Sequence, residues 1–396
     1  MIYHLLPEGE PFSDIDGGAL SRWVANAVRG TECIVACPYY DKTWNFVPGQ
    51  LLELPIWRRY GRLRGAFSHG KRFLDKLSEA AKPLEPLMNL LVAGDVLWIH
   101  NRPSVAAHLA KPLHNKGIRI VLHMQNSHLR VAGIRTVAAL RDVSVVFCSE
   151  YIANEVAAKH LGALGQSYLI PNGADERRFF PDRSRVNPIP QIVFAGRLVP
   201  DKGVHVLLAA MRRLEEKRIA ARCIVIGGAR FGSNEMTSYV RSLHELKPDN
   251  TEIRGYLSGE AYAEGLRQAD IFCSPGVWQE PFGMVIVEAM ASGLPVVASR
   301  VGGIPEILKY GGGLPVAPNN PESLAGALEY LILDKSARQR TALDALQSFR
   351  KHFTWQVVRS QYRHVLEDVM HECARQPAVP QGEVAASTFS SKSAFR

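Results

Sequence analysis

The stretch that decides the fold is DIFCSPGVWQEPFGMVIVEAMASGLPVVASRVGGIPEIL, residues 270–308. A short apolar run that ends at Pro275 is typical of a buried strand, and LPVVAS at 294–299 indicates a second one. Between the two runs, Phe282 and Gly283 begin a helical pattern. Buried strands that alternate with helices form parallel sheets covered on both faces, so this stretch predicts an α/β domain.

The same alternation continues along most of the chain. Besides 294–299, the strands that we predict lie at 32–37, 95–100, 118–124, 143–149, 166–172, 191–196, 222–228 and, for the run that ends at Pro275, 269–275. Amphipathic stretches separate them, and the clearest is 201–218, with Asp201 as its predicted N-cap.

The organisation of the chain into domains follows from where this pattern stops and restarts. It restarts after a proline-rich stretch at 181–190, which predicts a domain boundary. We therefore expect two Rossmann-like, doubly wound domains, at 1–185 and 186–354. A further helix is expected at 355–375, and the Ser-, Ala- and Pro-rich tail at 376–396 is expected to be disordered.

Length and composition exclude several classes of protein. The chain has 396 residues, of which 46% are hydrophobic and 21% charged, as in folded proteins of two domains. No segment approaches the ~18 apolar residues of a membrane-spanning helix, and the first residues lack a secretory signal, so we expect a cytoplasmic protein. The six cysteines are scattered without C-x-x-C spacing, which favours reduced, buried thiols over a metal site.

The net charge of +9 is partly concentrated in WRRYGRLRGAFSHGKRF, residues 57–73. The segment interleaves aromatic residues with Arg58, Arg59, Arg62 and Arg64. Such a pattern is typical of a helix on an anionic membrane surface, and a solvated helical face is the alternative. No recognised nucleic-acid-binding module accompanies the charge, so nucleic acid is not expected as a partner.

Two glutamates lie on either side of the predicted helix start in the decisive stretch. Glu280 precedes Phe282 and Gly283, and Glu288 lies on the first turns of the helix. Ligands of open α/β sheets bind beyond the carboxyl ends of strands, where helix N-termini offer free N–H groups. Because carboxylates only accept hydrogen bonds, this pair suits hydroxyl-rich groups such as a ribose and a hexose.

Two cations follow the strand at 191–196. Arg197 and Lys202 lie on either side of a turn that leads into the next helix. Positive side chains beside a helix start bind anions, and a diphosphate is the group that this pattern fits.

Gly17 and Gly18 begin a helix in the first domain, and residues without a Cβ let the backbone approach a ligand closely. Asp14 and Asp16 form a D-x-D pattern, which binds metal and diphosphate in one class of sugar transferases. There it normally follows a strand in mid-chain and not in the first loop, so a metal site is not expected here. His123 ends a predicted buried strand and is expected to face the cleft between the domains. Neither a zinc motif, nor a Walker motif, nor a G-x-S-x-G elbow, nor G-x-G-x-x-G after the first strand is present.

The combined motifs resemble the retaining glycosyltransferase family 4, also called glycosyl transferases group 1. Glu280 through Glu288 is similar to its E-x7-E motif, and GRLVPDKG, with Arg197 and Lys202, is similar to its phosphate-binding segment. IPNGADERRFFP at 170–181 and SGLPVVASRVGGIPEIL also look like that family. The resemblance implies a GT-B fold, in which two Rossmann-like domains face a cleft and the last helix crosses back to the first domain.

The resemblance also implies roles for residues. Glu288 would hold the ribose of a nucleotide-sugar donor, and Glu280 the hydroxyls of its sugar. Arg197 and Lys202 would bind the diphosphate. His123 would lie near the reacting sugar, and the residues implied as catalytic are Arg197, Lys202, Glu280 and His123. The other residues implied in donor binding are Gly17, Gly18, Asn172, Tyr256, Leu257 and the amides of Phe282, Gly283 and Met284. The cations would stabilise the departing diphosphate, so no metal and no other cofactor is expected.

We therefore predict a retaining sugar transferase that builds a cell-envelope glycan, of the lipopolysaccharide or exopolysaccharide type, at the inner face of the membrane. The alternatives are a soluble transferase with a small-metabolite acceptor, a nicotinamide-dependent oxidoreductase, and a catalytically silent binding protein. The missing glycine fingerprint argues against the oxidoreductase.

Overall fold

The computed structural model describes residues 1–8, 10, 12–13, 18–40, 49–54, 84–160, 164–182, 184, 187–230 and 232–375. Structural statements below refer to these residues. Several sequence predictions lie outside them, namely those for Asp14, Asp16, Gly17, the membrane segment with Arg58, Arg59, Arg62 and Arg64, and the tail at 376–396.

The first described sheet is parallel, with its seven strands in the order β3-β2-β1-β4-β5-β6-β7. The strands are β1 Ile2–Leu5, β2 Cys33–Cys37, β3 Gly49–Glu53, β4 Val96–His100, β5 Arg119–Met124, β6 Ser144–Phe147 and β7 Ser167–Leu169. The helices between them are α1 Ala19–Ala27, α2 Glu85–Met88, α3 Pro103–Asn115, α4 Ile134–Ala138 and α5 Glu150–His160.

The second sheet is also parallel, and its six strands have the order β10-β9-β8-β11-β12-β13. The strands are β8 Gln191–Ala195, β9 Arg222–Ile226, β10 Thr251–Gly255, β11 Ile271–Ser274, β12 Val296–Ser299 and β13 Gly313–Val316. The helices are α6 Val204–Glu216, α7 Ser238–Leu246, α8 Gly259–Arg267, α9 Met284–Ala291, α10 Ile304–Leu308, α11 Pro321–Leu333, α12 Lys335–His352 and α13 Trp355–Arg375.

Both sheets are doubly wound. In each, the second and third strands are added on one side of the first strand, and all later strands are added on its other side. The predicted α/β class with two Rossmann-like domains is therefore confirmed. The strands read as continuous apolar runs because helices cover both faces, and central residues such as Val193 and Phe272 have no exposed surface. The order reverses between β1 and β4 and between β8 and β11, which is where such folds bind ligands.

The last helix, α13, lies on the first domain. Tyr362 and Val358 of α13 share a buried cluster with Trp23 of α1 and Trp98 of β4. Arg359 donates a hydrogen bond to the carbonyl of Asn26 at 3.3 Å. The end of the chain thus covers one face of the sheet that begins it.

The helix start after β8 differs from the prediction. Asp201 is exposed and lies in a 3₁₀ turn, Pro200–Lys202, and α6 begins only at Val204, with Gly203 at its N-cap. Gly203 has a φ of 69°, and a Cβ there would lie 1.9 Å from the carbonyl oxygen of Pro275. The close approach of the loop after β11 therefore requires glycine at this N-cap, and Asp201 was wrong as the cap.

Several polar contacts join the two domains. Ser149 donates to the carbonyl of Pro281 at 2.7 Å. The carboxylate of Glu306 accepts from the backbone N–H groups of Glu150 and Tyr151, at the start of α5. Lys309 pairs with Glu150 at 2.9 Å, and Arg22 of α1 lies 3.4 Å from Glu288 of α9. Among the described residues, no helix is long and apolar enough to cross a bilayer.

Candidate functional site

The site is built where the strand order of the second sheet reverses, at the carboxyl ends of β8 and β11. The amide of Val277 donates to the carbonyl of Asp201 at 2.9 Å, which joins the loops that follow these strands. Gly227, after β9, has a φ of 155°, and a Cβ there would lie 1.8 Å from the carbonyl oxygen of Gly196. Side chains are thus kept out of the floor, and the backbone forms it.

A pocket of about 850 Å³, partly open to solvent, lies above this floor. It extends between the domains because Arg22 of α1 is part of its wall. The charged and aromatic residues of the lining are Arg22, Arg178, Arg197, Arg230, Tyr256, Tyr262, Phe179 and Glu288, and Leu257 adds an apolar side chain. Four residues predicted from the sequence, Arg197, Tyr256, Leu257 and Glu288, are therefore brought together.

Glu288 is the buried carboxylate of this pocket, with 4% of its surface exposed. The hydroxyl of Tyr262 donates to its Oε2 at 2.7 Å, and Nη1 of Arg22 lies 3.4 Å from its Oε1. Burial raises the pKa of Glu288, and Arg22, the bond from Tyr262 and Arg178 oppose that rise. Burial and the adjacent Glu288 raise the pKa of Tyr262 well above its ordinary value, so Tyr262 remains a donor. The carboxylate is held in place as a hydrogen-bond acceptor.

Glu280 and Lys202 form an ion pair beside this pocket. The backbone of Glu280 is fixed by the loop after β12, because Gly303 donates to its carbonyl at 2.8 Å. Gly302, with a φ of 55°, leaves no room for a Cβ, which would lie 2.0 Å from that same oxygen. The glutamate and the lysine that the sequence assigns to sugar and diphosphate thus neutralise each other.

The start of α9 follows Glu280 directly. Gly283, with a φ of 104°, is the N-cap, and Met284 is the first residue of the helix. Phe282 is buried, with 5% of its surface exposed, and anchors the turn. The first N–H groups of a helix have no partner within it and carry partial positive charge, so this turn can bind an anion.

The equivalent helix start in the first domain holds a carboxylate. Gly18 is the N-cap of α1, and Glu10 accepts hydrogen bonds from the amide and the hydroxyl of Ser21, both at 3.3 Å. Burial raises the pKa of Glu10, and the bonds from Ser21 and Gly18 oppose the rise. A diphosphate at Gly18 would therefore have to displace or share the position of Glu10.

Asn172 and His123 are among the predicted residues that do not line the pocket. Asn172 is buried and accepts a hydrogen bond from Nε2 of Gln125 at 2.8 Å. His123 has no exposed surface, because the ring of Trp23 lies 4.3 Å from its own ring, centroid to centroid. The expectation that His123 faces the cleft was wrong, because its side chain on β5 packs beneath α1, against Trp23, and is fully buried.

Sequence reasoning missed Arg22, Arg178 and Tyr262. Arg22 had a signal, because it lies one turn beyond Gly18 on a helix predicted to begin at the ligand. Arg178 stands within the quoted stretch 170–181. Nothing in the sequence indicated Tyr262, because its contact with Glu288 depends on how α8 packs against α9. Among the described side chains, no group of three or more could hold a metal ion.

Comparisons with known proteins show what the chain is similar to in sequence and in fold. Residues 176–346 match the family described as glycosyl transferases group 1. Spore coat protein SA of Bacillus subtilis is 26% identical over 294 residues, which cover 69% of this chain and 78% of that protein.

Two solved structures are similar in fold. Sucrose-phosphate synthase from Thermosynechococcus elongatus superposes with a TM-score of 0.71 at 19% identity, covering 94% of this chain and 99% of that one. Anabaena HepE in complex with UDP-glucose superposes with a TM-score of 0.68 at 19% identity, covering 93% and 99%. The chain therefore has a GT-B fold, and its residues 176–346 are similar to the glycosyl transferases group 1.

Proposed function

We propose that this glycosyltransferase moves a sugar from a nucleotide-sugar to an acceptor hydroxyl with retention of the anomeric configuration. The observation that carries the proposal is the meeting of Arg197 and Glu288 in one pocket, with the pair of Lys202 and Glu280 beside it. These four side chains come from the loops and helices that follow β8 and β11.

The nucleoside would bind in the pocket beneath Arg22. Glu288 offers its carboxylate to the ribose hydroxyls, and binding of the ribose would replace the long contact with Arg22. Tyr256 and Leu257 supply a flat ring and an apolar side chain at the other side of the pocket, where a base would lie. UDP-glucose is the first donor to test because the similar HepE structure contains it.

The diphosphate would be bound by Arg197, Lys202 and the amides of Phe282, Gly283 and Met284. Cleavage of the glycosidic bond places negative charge on the diphosphate, and groups positioned to stabilise such charge each contribute about 10²–10³ in rate. When the diphosphate binds Lys202, the ion pair between Lys202 and Glu280 is broken, and Glu280 can accept hydrogen bonds from the sugar hydroxyls. These cations and amides supply the charge that a metal would otherwise provide, so transfer should continue in EDTA.

Retention would follow from attack of the acceptor on the face that the leaving group vacates, with a phosphate oxygen taking the acceptor's proton. Glu280 is assigned to hydroxyl binding and not to covalent attack, because it is placed to accept hydrogen bonds from the sugar hydroxyls once the diphosphate binds Lys202. Closure of the cleft would exclude water from the reacting carbon.

The test is donor binding by calorimetry, followed by transfer to acceptor. Glu288→Gln keeps the shape but loses the charge, and we expect donor affinity to fall about 10- to 100-fold, as for a hydrogen bond to a charged group. Glu329→Gln, which removes a surface partner of Lys217, is the matched control. Equal donor affinity in both variants would contradict the proposal.

For the acceptor, we propose a cell-envelope glycan or lipid-linked saccharide, reached at the inner, cytoplasmic face of the membrane. The support is the basic aromatic segment at 57–73 in a chain of net charge +9. Sedimentation with anionic liposomes tests it, with the wild type compared to a variant in which Arg58, Arg59 and Arg62 are replaced by glutamine. Equal binding would overturn the membrane role and favour a small-metabolite acceptor.

A further inference from the structure

A second cavity, of about 640 Å³ and partly open to solvent, adjoins the pocket that contains Arg197. Arg22, Arg178 and Glu288 are among the residues that line both spaces. Among the described residues, the loops that follow β8, β9 and β10 line only the first of them. The second cavity is therefore a separate space, which shares these three side chains with the first as a common wall.

This cavity lies where the chain passes between the domains. The two crossings precede β8 and follow α12, and they meet because the amide of Ala174 donates to the carbonyl of Phe353 at 3.1 Å. Ala174 and Trp355 line the cavity. Gly173 lets the two crossings pack closely, since a Cβ there would lie 3.0 Å from the ring of Trp355. We call this space the hinge cavity.

Another wall of the hinge cavity is one side of α1. Arg22, Ala25 and Asn26 are three and four residues apart, so they share a side of the helix, and Arg29 lies just beyond its C-cap. Seven residues of helix span about 10 Å. An arginine therefore stands at each end of this wall.

The guanidinium of Arg22 has a donor that its contacts do not use. Its Nη1 lies 3.4 Å from Oε1 of Glu288, and its Nε is buried without a hydrogen-bond partner among the described residues. A guanidinium presents five N–H groups in one plane and binds oxyanions best through two of them. An oxyanion beside Arg22 would thus satisfy a buried donor that the described protein atoms leave unmet.

Positive charge is concentrated at the other end of the wall, around Arg29. The pKa of Arg359 on α13 is lowered by burial first and then by the charges of Arg29 and Arg363, and Arg177 acts in the same direction against Glu176. Arg29 and Arg363 are exposed and form no ion pair within the part of the chain that the structure describes. Like charges at close range repel one another, and a bound anion would remove that repulsion.

The two acids of the lining are already engaged. Glu288 accepts from Tyr262 and lies against Arg22, whereas the carboxylate of Asp175 accepts from the amide of Arg177 at 3.0 Å and closes a local turn. Among the described residues, neither acid is paired with Arg29. The charge of Arg29 is therefore available to a ligand.

We propose that the hinge cavity binds a small organic anion that carries a phosphate group, held by Arg22, Arg29 and Arg178. A space of this volume is typical of sites for small molecules. Arginines on several sides suit a phosphate, because each guanidinium matches the geometry of two phosphate oxygens. The existence of this site does not depend on the proposed function.

The bound anion would also act on the donor pocket, and this part of the proposal rests on the proposed function. The anion competes with Glu288 for Arg22, so the carboxylate loses a partner and becomes available to the ribose hydroxyls. Coupling between two sites is reciprocal, and it typically changes affinity about 5-fold or more. Anion and donor are therefore expected to strengthen each other's binding.

The site is tested by calorimetric titration with inorganic phosphate and with glycerol 3-phosphate at pH 7.5, with the ionic strength held constant by sodium chloride. All proteins carry Lys202→Gln, which removes a cation of the proposed diphosphate site. Adding Arg29→Gln should weaken the binding of both probes about 10-fold or more, as for the loss of a hydrogen bond to a charged group. Arg213→Gln, at an exposed position of α6 outside both linings, is the matched control.

Asp175→Asn should have the opposite effect. Asparagine keeps the side-chain oxygen that accepts from Arg177 but removes a negative charge from the lining, so we expect both probes to bind about 3-fold tighter. A misfolded variant would not gain affinity, so this change serves even if Arg29→Gln disturbs the fold.

Two results would overturn the site: no binding of either probe, or equal affinities in the Arg29→Gln, Asp175→Asn and Arg213→Gln proteins. The organic part of the ligand is tested by the order of the two probes. We expect glycerol 3-phosphate to bind tighter than inorganic phosphate, and the reverse order would overturn an organic ligand in favour of free phosphate.

The coupling is measured by titration with UDP-glucose in proteins that retain Lys202, with and without saturating glycerol 3-phosphate. We expect the donor to bind about 5-fold tighter to the wild type when the anion is present, and to show no such gain in Arg29→Gln. Weaker donor binding in both proteins would mean that the anion competes in the donor pocket, and it would overturn the coupling.

The two proposals fail separately. A protein that binds glycerol 3-phosphate through Arg29 but binds no nucleotide-sugar would refute the proposed function alone. A protein that binds UDP-glucose but has no anion site dependent on Arg29 would refute the hinge cavity alone.

Discussion

At the scale of single residues, the site depends on glycines that bring loops into contact. Gly203 combines a left-handed backbone with the approach of Pro275, and Gly302 does the same for the carbonyl of Glu280. The sequence correctly predicted that Arg197 and Lys202 follow β8 and that Glu280 and Glu288 follow β11, because charge after a buried strand is visible as a pattern. It did not indicate Tyr262 or the pairing of Lys202 with Glu280, since these depend on side-chain packing between elements.

Gly203→Ala should destabilise the protein more than an alanine in the same backbone conformation elsewhere. The left-handed conformation costs an L-residue about 1–2 kcal/mol, and at Gly203 the methyl group would also lie 1.9 Å from a carbonyl oxygen. Gly232→Ala is the control, because Gly232 has a φ of 70° and nothing within 4 Å of its added Cβ. Urea unfolding and donor binding measure both effects. Equal losses in the two variants would show that the contact with Pro275 does not matter.

At the scale of elements, α5 is capped by a residue from the other domain. Glu306 accepts from two backbone N–H groups at the start of α5, where its negative charge also favours the helix dipole. Burial raises the pKa of Glu306, and these same bonds oppose the rise. The cap therefore joins the stability of one domain to its contact with the other.

Glu306→Ala should lower the free energy of unfolding by about 1 kcal/mol, as for the loss of a helix cap, and should separate the domains. The radius of gyration from small-angle X-ray scattering is expected to increase. Glu322→Ala is the control, because Glu322 lies in the first turn of α11 and is exposed. A radius of gyration unchanged from the wild type would mean that the other interdomain contacts suffice.

Element prediction from the sequence succeeded where strands were apolar runs and failed for β1, at the start of the chain, and for β3 and β13. β1 is only four residues long and is interrupted by Tyr3 and His4, so it carried no apolar signal. With β1 unseen, the row of buried histidines, His4, His100 and His123, could not be foreseen either. β3 and β13 are edge strands, where a half-exposed surface weakens the pattern.

At the scale of the whole molecule, the buried histidines make stability depend on pH. Their pKa values in the folded state, about 3 for His4 and His123, lie below the value of about 6.5 in an unfolded chain. The unfolded state therefore binds more protons below pH 6.5, and the contribution to stability is complete above that pH and is lost as the pH falls. Glu10, Glu288 and Glu306, whose pKa values are raised, act in the opposite sense nearer pH 4.5.

We expect the free energy of unfolding to decrease below pH 6.5 by up to about 1.4 kcal/mol per pH unit for each buried histidine. Denaturant titrations between pH 7.5 and about 5 measure the slope. His100→Asn should reduce the slope by one histidine's share, whereas His108→Gln, at an exposed position of α3, should not. A slope that is the same in all three proteins would contradict the assignment of neutral buried rings.

The crossing of α13 has a consequence for how the protein is made. Tyr362 completes a bond to His4 across 358 positions of the chain, so the ribosome must translate all the residues between them before this partner of His4 exists. The face of the first domain that carries Trp23 and Trp98 therefore stays uncovered until the residues of α13 have been synthesised. A nascent chain stalled before residue 355 would therefore present that aromatic face to chaperones, and release of the last helix would end the exposure.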